Sequence, residues 1–261
     1  MMKIIFGPAG LGGADEAIKN LEGFHKLGLG ACEIAFTYGI YLNEKQAIEI
    51  GKSAEKNKIN ISIHAPYWIN LNSDEKIKVE QSKNRIIACC KIGHLLGAQK
   101  IVFHPGYYGK RTKEESYENI KKEIILIQEE IKINKWNVKL APETTGRLNV
   151  FGSIEEILNL VKDTKCSFTI DFAHLLARSN GKMSFEEMSK AFANFKELHC
   201  HFSGIEYGEK GEKRHISTKR EQLKELLKVL IKREGRAVII NESPNPVEDS
   251  VFGTELLEEN G

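Results

Sequence analysis

Phe168-Thr169-Ile170-Asp171-Phe172-Ala173-His174 is a short apolar run that ends in an aspartate, with a histidine three residues further on. Thr169 and Ile170 favour a buried strand. We predict that this strand ends at Asp171 and gives way to a loop that carries His174. Asp171 would then stand at the exposed carboxyl end of the strand. A single Asp-x-x-His pattern is weak evidence for a site, so its meaning depends on the rest of the chain.

The same pattern, an apolar strand that ends in a residue able to bind a metal, occurs five more times. The terminal residues of these runs are His64, His104, Glu143, His201 and Glu242. Successive terminal residues, Asp171 included, are 28 to 41 residues apart. One strand and one helix of a barrel of about 250 residues occupy roughly this length. The spacing therefore predicts a series of strand and helix units.

The whole chain reads as eight strands that alternate with seven helices. This alternation indicates parallel strands joined by right-handed crossovers, and eight such units close into a (β/α)8 TIM barrel of the α/β class. No low-complexity linker interrupts the pattern, so we expect a single domain over residues 1–261. The predicted strands are 3–6, 31–35, 60–64, 100–104, 138–143, 167–171, 197–202 and 237–242. The predicted helices are 14–27, 43–57, 74–96, 112–133, 153–162, 184–195 and 218–233, with a short one at 251–258 in place of the last barrel helix.

The composition is that of a globular protein, with 41% hydrophobic and 28% charged residues. The net charge of +2 neither supports nor excludes nucleic acid as a partner, because acidic helices can mask a local basic groove. Five cysteines without a CxxC pair favour a reducing compartment. The sequence shows no signal peptide and no run of 18 apolar residues. We expect a cytoplasmic monomer that does not contact membranes.

The carboxyl ends of barrel strands meet on one face, where the chemistry of such enzymes takes place. The six strand-end residues would therefore face one another there. Three histidines and three carboxylates exceed the four ligands of one tetrahedral zinc, so they imply two metal ions at this face. A glutamate can bridge two ions about 3.5 to 4 Å apart, and such pairs stabilise the attacking and leaving oxygens of a phosphoryl displacement. Histidine and carboxylate ligands without thiolate suit zinc and admit manganese or iron.

The remaining histidines divide into two groups. His174 and His215 are further candidate ligands and could hold a third ion. His199 is expected to point to the opposite side of its strand from His201. We interpret three histidines as structural residues: His25, His94 and His199.

Six short motifs at the strand ends resemble those of the endonuclease IV family, also called AP endonuclease family 2, in the xylose-isomerase-like TIM barrel superfamily. The motifs are, in chain order, His64-Ala65-Pro66-Tyr67, Phe103-His104-Pro105-Gly106, Glu143-Thr144-Thr145-Gly146, Ile170-Asp171-Phe172-Ala173-His174, His201-Phe202-Ser203 and Asn241-Glu242-Ser243. They cover the chain almost end to end. The resemblance implies a barrel with three zinc ions that cleaves DNA 5′ of an abasic site during base excision repair.

The resemblance also implies a role for each ligand. The implied ligand sets are His64, His104 and Glu143 for one ion, Glu143, Asp171, His201 and Glu242 for the second, and His174 and His215 for the third. Glu143 and Glu242 are the implied catalytic residues. Glu143 would bridge two ions, and Glu242 would orient the water that attacks the phosphate in line.

Tyr67 and Trp68 lie where the family has a loop that wedges into the duplex beside the flipped-out abasic sugar. The implied partner is therefore double-stranded DNA with abasic sites. Large aromatic rings suit this task, because stacking of a base on such a ring is worth about 1 to 3 kcal/mol. An abasic nucleotide also costs less to extrude than a paired one.

Two positions depart from the family pattern. Lys213 stands where the family has an aspartate ligand of the third ion, and a lysine ammonium is repelled by a bound cation. Either an acidic residue of the same loop substitutes for it, or the third site is weak or empty. The acidic residues concerned are Glu206, Glu209 and Glu212. Residues 37–41 contain no arginine, whereas the family has one in the loop after the second strand.

Two alternatives to an endonuclease remain open. Sugar isomerases and epimerases with a xylose-isomerase-like barrel also resemble the chain, because the second ligand set alone could hold one divalent metal that polarises a carbonyl. His64 and His104 favour the hydrolase, since they complete a second site that isomerisation does not need. A non-catalytic barrel that binds DNA or a sugar is the other alternative, and it would purify with less than one ion per chain.

Overall fold

The structure is a computed structural model that describes residues 1–259. Eight of its strands form a parallel barrel, and two form an antiparallel hairpin, β8 and β9. In chain order the strands are β1 (Met2–Pro8), β2 (Ala31–Ala35), β3 (Asn60–His64), β4 (Lys100–Phe103), β5 (Lys139–Pro142), β6 (Ile170–Asp171), β7 (Glu197–Phe202), β8 (Gly204–Gly208), β9 (Gly211–Ile216) and β10 (Gly235–Asn241).

The barrel closes through two single bridges between four-stranded sheets. One sheet has the order β1-β10-β7-β6 and the other the order β2-β3-β4-β5. Ala9 pairs with Glu33 and joins β1 to β2, while Glu143 pairs with Thr169 and joins β5 to β6. All eight strands run parallel, so their carboxyl ends surround one mouth. The predicted (β/α)8 TIM barrel is confirmed.

Helices connect the strands and cover the outside of the barrel. They are α1 (Ala17–Lys26), α2 (Glu44–Lys56), α3 (Lys76–Leu96), α4 (Lys113–Ile133), α5 (Ile154–Thr164), α6 (Phe172–Arg178), α7 (Phe185–Ala191), α8 (Arg220–Ile231) and α9 (Pro246–Glu258). Four helices begin with a capping box, in which a polar N-cap residue and a Glu or Gln three residues later exchange hydrogen bonds. These caps are Asn43, Thr112, Ser153 and Ser184. The caps explain why the sequence located these helix starts closely.

The chain after β6 differs from the prediction of a loop. Asp171 caps α6, because its Oδ1 accepts a hydrogen bond of 2.7 Å from the backbone N–H of His174. His174 therefore lies in the first turn of a helix, and the prediction that a loop carries it was wrong. The hairpin of β8 and β9 was not predicted. The last helix begins at Pro246 rather than at residue 251, since proline is well tolerated in a first turn.

A large apolar cluster packs the strands against the helices, and a small second one consists of Ala173, Ala177 and Ile205. Phe6, Ile34 and Phe103 are among the largest fully buried side chains. Across residues 1–259, no helix has both the length and the apolar character that crossing a bilayer requires.

Candidate metal centre

Glu143 lies at the centre of the candidate site, fully buried directly after β5. Its Oε2 atom is 3.2 Å from Nε2 of His64 and 2.8 Å from Nε2 of His104. Its Oε1 atom is 2.9 Å from Nδ1 of His201. The two carboxylate oxygens therefore face two different groups of histidines, as those of a bridging ligand would.

A second group of residues shares Glu143 and consists otherwise of Asp171, His201 and Glu242. One potential ligand atom from each of the four lies within 4.8 Å of the others. Nδ1 of His201 is 3.4 Å from Oε2 of Glu242. Oδ2 of Asp171 is buried without a well-directed hydrogen bond among residues 1–259, although Nδ1 of His174 is 3.3 Å from it. A cation would stabilise a carboxylate oxygen buried in this way. These donors therefore fit a metal ion.

His174 and His215 lie beside these groups, with ring centroids 5.2 Å apart. Together with Asp171 they form a third cluster with ligand atoms within 4.8 Å of one another. The structure thus brings all eight predicted ligands together at the barrel mouth: His64, His104, Glu143, Asp171, His174, His201, His215 and Glu242. Their roles as ligands remain predictions.

Glu33 is a site residue that the sequence analysis missed. It lies in the middle of β2 and is fully buried. Its Oε2 accepts a hydrogen bond of 2.6 Å from the hydroxyl of Ser62 and is 3.1 Å from Nε2 of His199. Its Oε1 is 2.9 Å from Nε2 of His201, off the line of an ideal hydrogen bond. The sequence did contain a signal for Glu33, which is a single carboxylate inside the apolar run 31–35. A carboxylate buried in a strand needs a polar partner, so its presence there indicates a site.

His199 corrects a second expectation. Its ring points into the barrel beside His201, with centroids 5.6 Å apart. Residues i and i+2 of a strand share a face, so the expectation of opposite sides was wrong. His199 contacts Glu33 rather than Glu143 and supports the buried carboxylate. The other two histidines interpreted as structural, His25 and His94, lie exposed on α1 and α3.

The charges of the site shift the pKa values of its members strongly. Burial alone would raise the pKa of Glu143, but His201 and His104 hold it well below its usual range. Burial would also raise the pKa of Glu242, yet His201 lowers it to about 2. Burial, with help from nearby carboxylates, raises the pKa of Asp171 to about 6. Despite the opposing effect of burial, Glu143 raises the pKa of His64 to about 9. The histidines and carboxylates of the site therefore hold protons between them. A metal ion bound to the same atoms would displace these protons.

The clusters open into a cavity of about 440 Å³. Tyr67 lines it, with its ring 5.8 Å from that of His64 and its side chain 61% exposed. Desolvation at the cavity wall and the charge of Glu242 raise the pKa of Tyr67 to about 12, so the phenol stays protonated. Trp68, the next residue, is 59% exposed. Of the two predicted DNA contacts, Tyr67 therefore lies beside the cluster, and the role of Trp68 stays a prediction.

The fold and these side chains define an eight-stranded α/β barrel with histidines and carboxylates suited to metal ions at its mouth. The chain belongs to the xylose isomerase-like TIM barrel family, whose sequence profile matches residues 21–259. An uncharacterized protein of Methanocaldococcus jannaschii is 39% identical over 262 residues, covering 95% of each chain. A probable endonuclease 4 of Mycobacterium leprae is 25% identical over 195 residues, covering 73% of this chain and 76% of its own.

Solved structures similar to this chain carry different activities on the same fold. SacUVDE superposes with a TM-score of 0.76 at 18% identity, over 100% of this chain and 99% of its own. A D-tagatose 3-epimerase-like protein has a TM-score of 0.71 at 22% identity, over 98% and 96%. Endonuclease IV from Thermus thermophilus has a TM-score of 0.70 at 21% identity, over 98% and 99%. At these identities the likeness concerns the fold alone.

Proposed function

We propose that this protein is a metal-dependent apurinic/apyrimidinic endonuclease that hydrolyses the DNA phosphodiester on the 5′ side of an abasic site. The observation that carries the proposal is the position of Glu143, whose two oxygens face separate histidine groups 2.8 to 3.2 Å away. Phosphoryl displacement uses such paired sites, whereas isomerisation of a sugar needs one ion. The similarity to probable endonucleases 4 supports the same reaction.

Zinc is the proposed ion, at two or three per chain, with manganese as the alternative. The donors of the three clusters are imidazoles and carboxylates, which both metals accept. Ions bound there would lower the pKa of water towards about 7 and neutralise the charge of the scissile phosphate. The chain itself contributes the bridge at Glu143 and the buried surroundings that keep bulk water away.

Glu242 is the proposed group that orients the attacking water. Its side chain is 18% exposed, so it reaches the cavity from the end of β10. With a pKa of about 2 it is a carboxylate at neutral pH and accepts hydrogen bonds. Tyr67 keeps its phenolic proton and is available as a donor to a phosphate oxygen.

Tyr67 and Trp68 are also the proposed DNA wedge. Both side chains are more than half exposed on the loop that follows β3, and the ring of Tyr67 contacts His64. A ring inserted into the gap left by an abasic nucleotide would stack on the flanking base pairs and hold the sugar in the cavity. The loop would thereby couple recognition of the lesion to the metal centre.

A sugar isomerase or epimerase is the second candidate function. The cluster of Glu143, Asp171, His201 and Glu242 is complete as a single-ion site, and epimerases are among the similar structures. In such an enzyme, His64 and His104 would have no role in the reaction. The two candidates differ in the substrate turned over, which one assay can separate.

The deciding assay uses a labelled duplex with one tetrahydrofuran abasic mimic, first in EDTA and then with zinc or manganese restored. We expect a cut on the 5′ side that depends on the metal, since this mimic cannot undergo β-elimination. Absence of cleavage by protein shown to contain bound metal would refute the proposal. Ketose and aldose substrates would then be screened for epimerisation.

Glu143→Gln tests the bridging residue in the same assay. The amide keeps the size of the side chain but loses the charge that two ions require, so cleavage should fall more than roughly 100-fold. Glu129→Gln is the matched control, because Glu129 is exposed on α4. Normal cleavage by folded Glu143→Gln protein would contradict the bridging role.

A further inference from the structure

The hairpin of β8 and β9 contains a β-bulge at Lys213. Glu206 pairs with Arg214, and the next residue, Tyr207, pairs with Glu212, so Lys213 has no partner residue on β8. An extra residue in one strand shifts the alternation of its side chains by one position. A regular strand would put residues 213 and 215 on one face. With the bulge, Glu212 and His215 both line the metal-site cavity.

Lys213 is turned away from the metal centre. Its Nζ is 3.5 Å from Oε1 of Glu206, and its side chain is 59% exposed. The cation that stands in place of a family aspartate therefore lies in solvent beside a carboxylate. It does not oppose a cation bound by His174 and His215.

The side chain of Glu212, and not that of Lys213, faces His174. Its Oε2 is 3.5 Å from Nε2 of His174, and its side chain is only 16% exposed. Gly146 makes this approach possible: a Cβ there would lie 2.7 Å from Cβ of Glu212 and 2.9 Å from its Oε2. A Cβ there would also lie 3.1 Å from Cδ2 of His174, so any larger residue at position 146 would force apart the pair of Glu212 and His174.

The two histidines are held so that one ring nitrogen of each is free for a ligand. Nδ1 of His174 is 3.0 Å from the carbonyl oxygen of Thr144, and Nδ1 of His215 is 2.7 Å from the hydroxyl of Ser203. Partners of this kind fix the orientation of metal-binding imidazoles. Nε2 of His174 is the ring nitrogen that faces the carboxylate of Glu212, so a cation placed between them would have a donor on each side.

The geometry points to Glu212 as the carboxylate ligand of a third divalent ion, held together with His174 and His215. Asp171, whose buried Oδ2 makes no well-directed hydrogen bond and is 3.3 Å from Nδ1 of His174, forms a cluster with these two histidines and adds a second oxygen donor. Two imidazoles and carboxylate oxygens are a donor set for zinc. The inference rests on the metal binding of the proposed function, but it assigns a ligand that the resemblance to the endonuclease IV family does not provide.

The test counts zinc ions per chain by mass spectrometry and measures the weakest affinity by chelator competition, in wild type, Glu212→Gln and Glu209→Gln. Glu209 is the matched control because it is exposed on the same hairpin. We expect three ions in wild type and Glu209→Gln. In Glu212→Gln the third affinity should fall more than roughly tenfold, since losing even an indirect partner of a ligand costs 10–100-fold.

Two more variants distinguish the loss of a metal ligand at Glu212 from a general disturbance of the hairpin. Gly146→Ala should weaken the third ion as Glu212→Gln does, while Lys213→Gln should leave it unchanged. The inference is overturned if wild type binds no third ion, if Glu212→Gln keeps it at wild-type affinity, or if Lys213→Gln weakens it equally. Because these measurements need no DNA, three Glu212-dependent ions in a protein that cuts no abasic duplex would refute only the proposed endonuclease activity.

Discussion

Glu33 is the buried carboxylate that links the metal centre to the interior of the barrel. Nδ1 of His201 faces Glu143, and Nε2 faces Oε1 of Glu33 at 2.9 Å. An imidazole that ligates a metal through Nδ1 carries its proton on Nε2, and that proton needs an acceptor. The adjacent His199 and Ser62 hold the other oxygen of Glu33 in place. Glu33 is therefore a positioning residue, since it acts on the site through His201.

Substitution of Glu33 should weaken metal binding without removing a ligand. In Glu33→Gln, the amide keeps the shape but loses the negative charge that faces Nε2 of His201. Zinc affinity should fall about 10–100-fold, as measured by chelator competition. Ser62→Ala is the control that leaves the charge in place and should cost less. Equal zinc affinities of wild type and Glu33→Gln would show that the charge of Glu33 does not contribute to metal binding.

The stability of the metal-free protein should depend on pH through His64. Glu143 raises the pKa of His64 from 6.5 to about 9 against the effect of burial. A raised pKa means that the contribution of His64 to folding is fully present below pH 6.5 and is lost as the pH rises through about 9. In EDTA, urea unfolding should show His64→Asn to be more destabilising at pH 6.5 than at pH 9. An equal penalty at both pH values would contradict the pairing of His64 with Glu143.

At the scale of elements, the loop after β3 joins the metal centre to the proposed wedge. His64 ends β3, and Tyr67 and Trp68 follow within four residues, so the ligand fixes the start of the loop. Trp68→Ala should weaken binding to abasic duplex by roughly 1 to 3 kcal/mol, the worth of one stacked base. Binding to intact duplex should change less, as measured by fluorescence anisotropy on both. Tyr38→Ala, an exposed aromatic residue of the preceding loop, is the comparison. An equal loss on both duplexes would assign Trp68 to packing alone.

The elements also show what the sequence could predict. Strand ends were recognisable because apolar runs stop at a ligand-type residue, and capping boxes marked the helix starts at Thr112 and Ser153. The short helix α6 was missed because its cap, Asp171, was interpreted only as a ligand, whereas its carboxylate caps the helix and also lies in a cluster that could hold a metal ion. The bulge in β9 could not be predicted, because the pairing of Glu206 with Arg214 sets it and no local residue pattern does.

At the scale of the whole molecule, barrel closure is what assembles the site. The predicted ligands Glu143 and Asp171 stand at the ends of neighbouring strands, and a single bridge from Glu143 to Thr169 joins these two strands. His64 and His201 meet across the mouth, with ring centroids 6.0 Å apart, although 137 residues separate them in the chain. Such long-range contacts follow from the parallel order of strands, which the spacing of motifs predicted.

The single domain over residues 1–261 and the monomeric state stay predictions, and residues 260–261 lie outside the described part of the chain.

The charge of the molecule provides a test that separates the two candidate substrates. The net charge is only +2, so binding to DNA must rely on local cations such as Arg147, which is exposed at the metal-site cavity. Each phosphate contact releases counterions, and about four contacts would lower affinity roughly 100-fold between about 50 and 200 mM salt. The kcat/KM for abasic duplex should therefore fall steeply over this range, while metal content measured in parallel stays constant. A kcat/KM for abasic duplex that does not change with salt would contradict binding through phosphate contacts. A neutral sugar releases no counterions, so turnover of a sugar by the epimerase candidate should not change over the same range of salt.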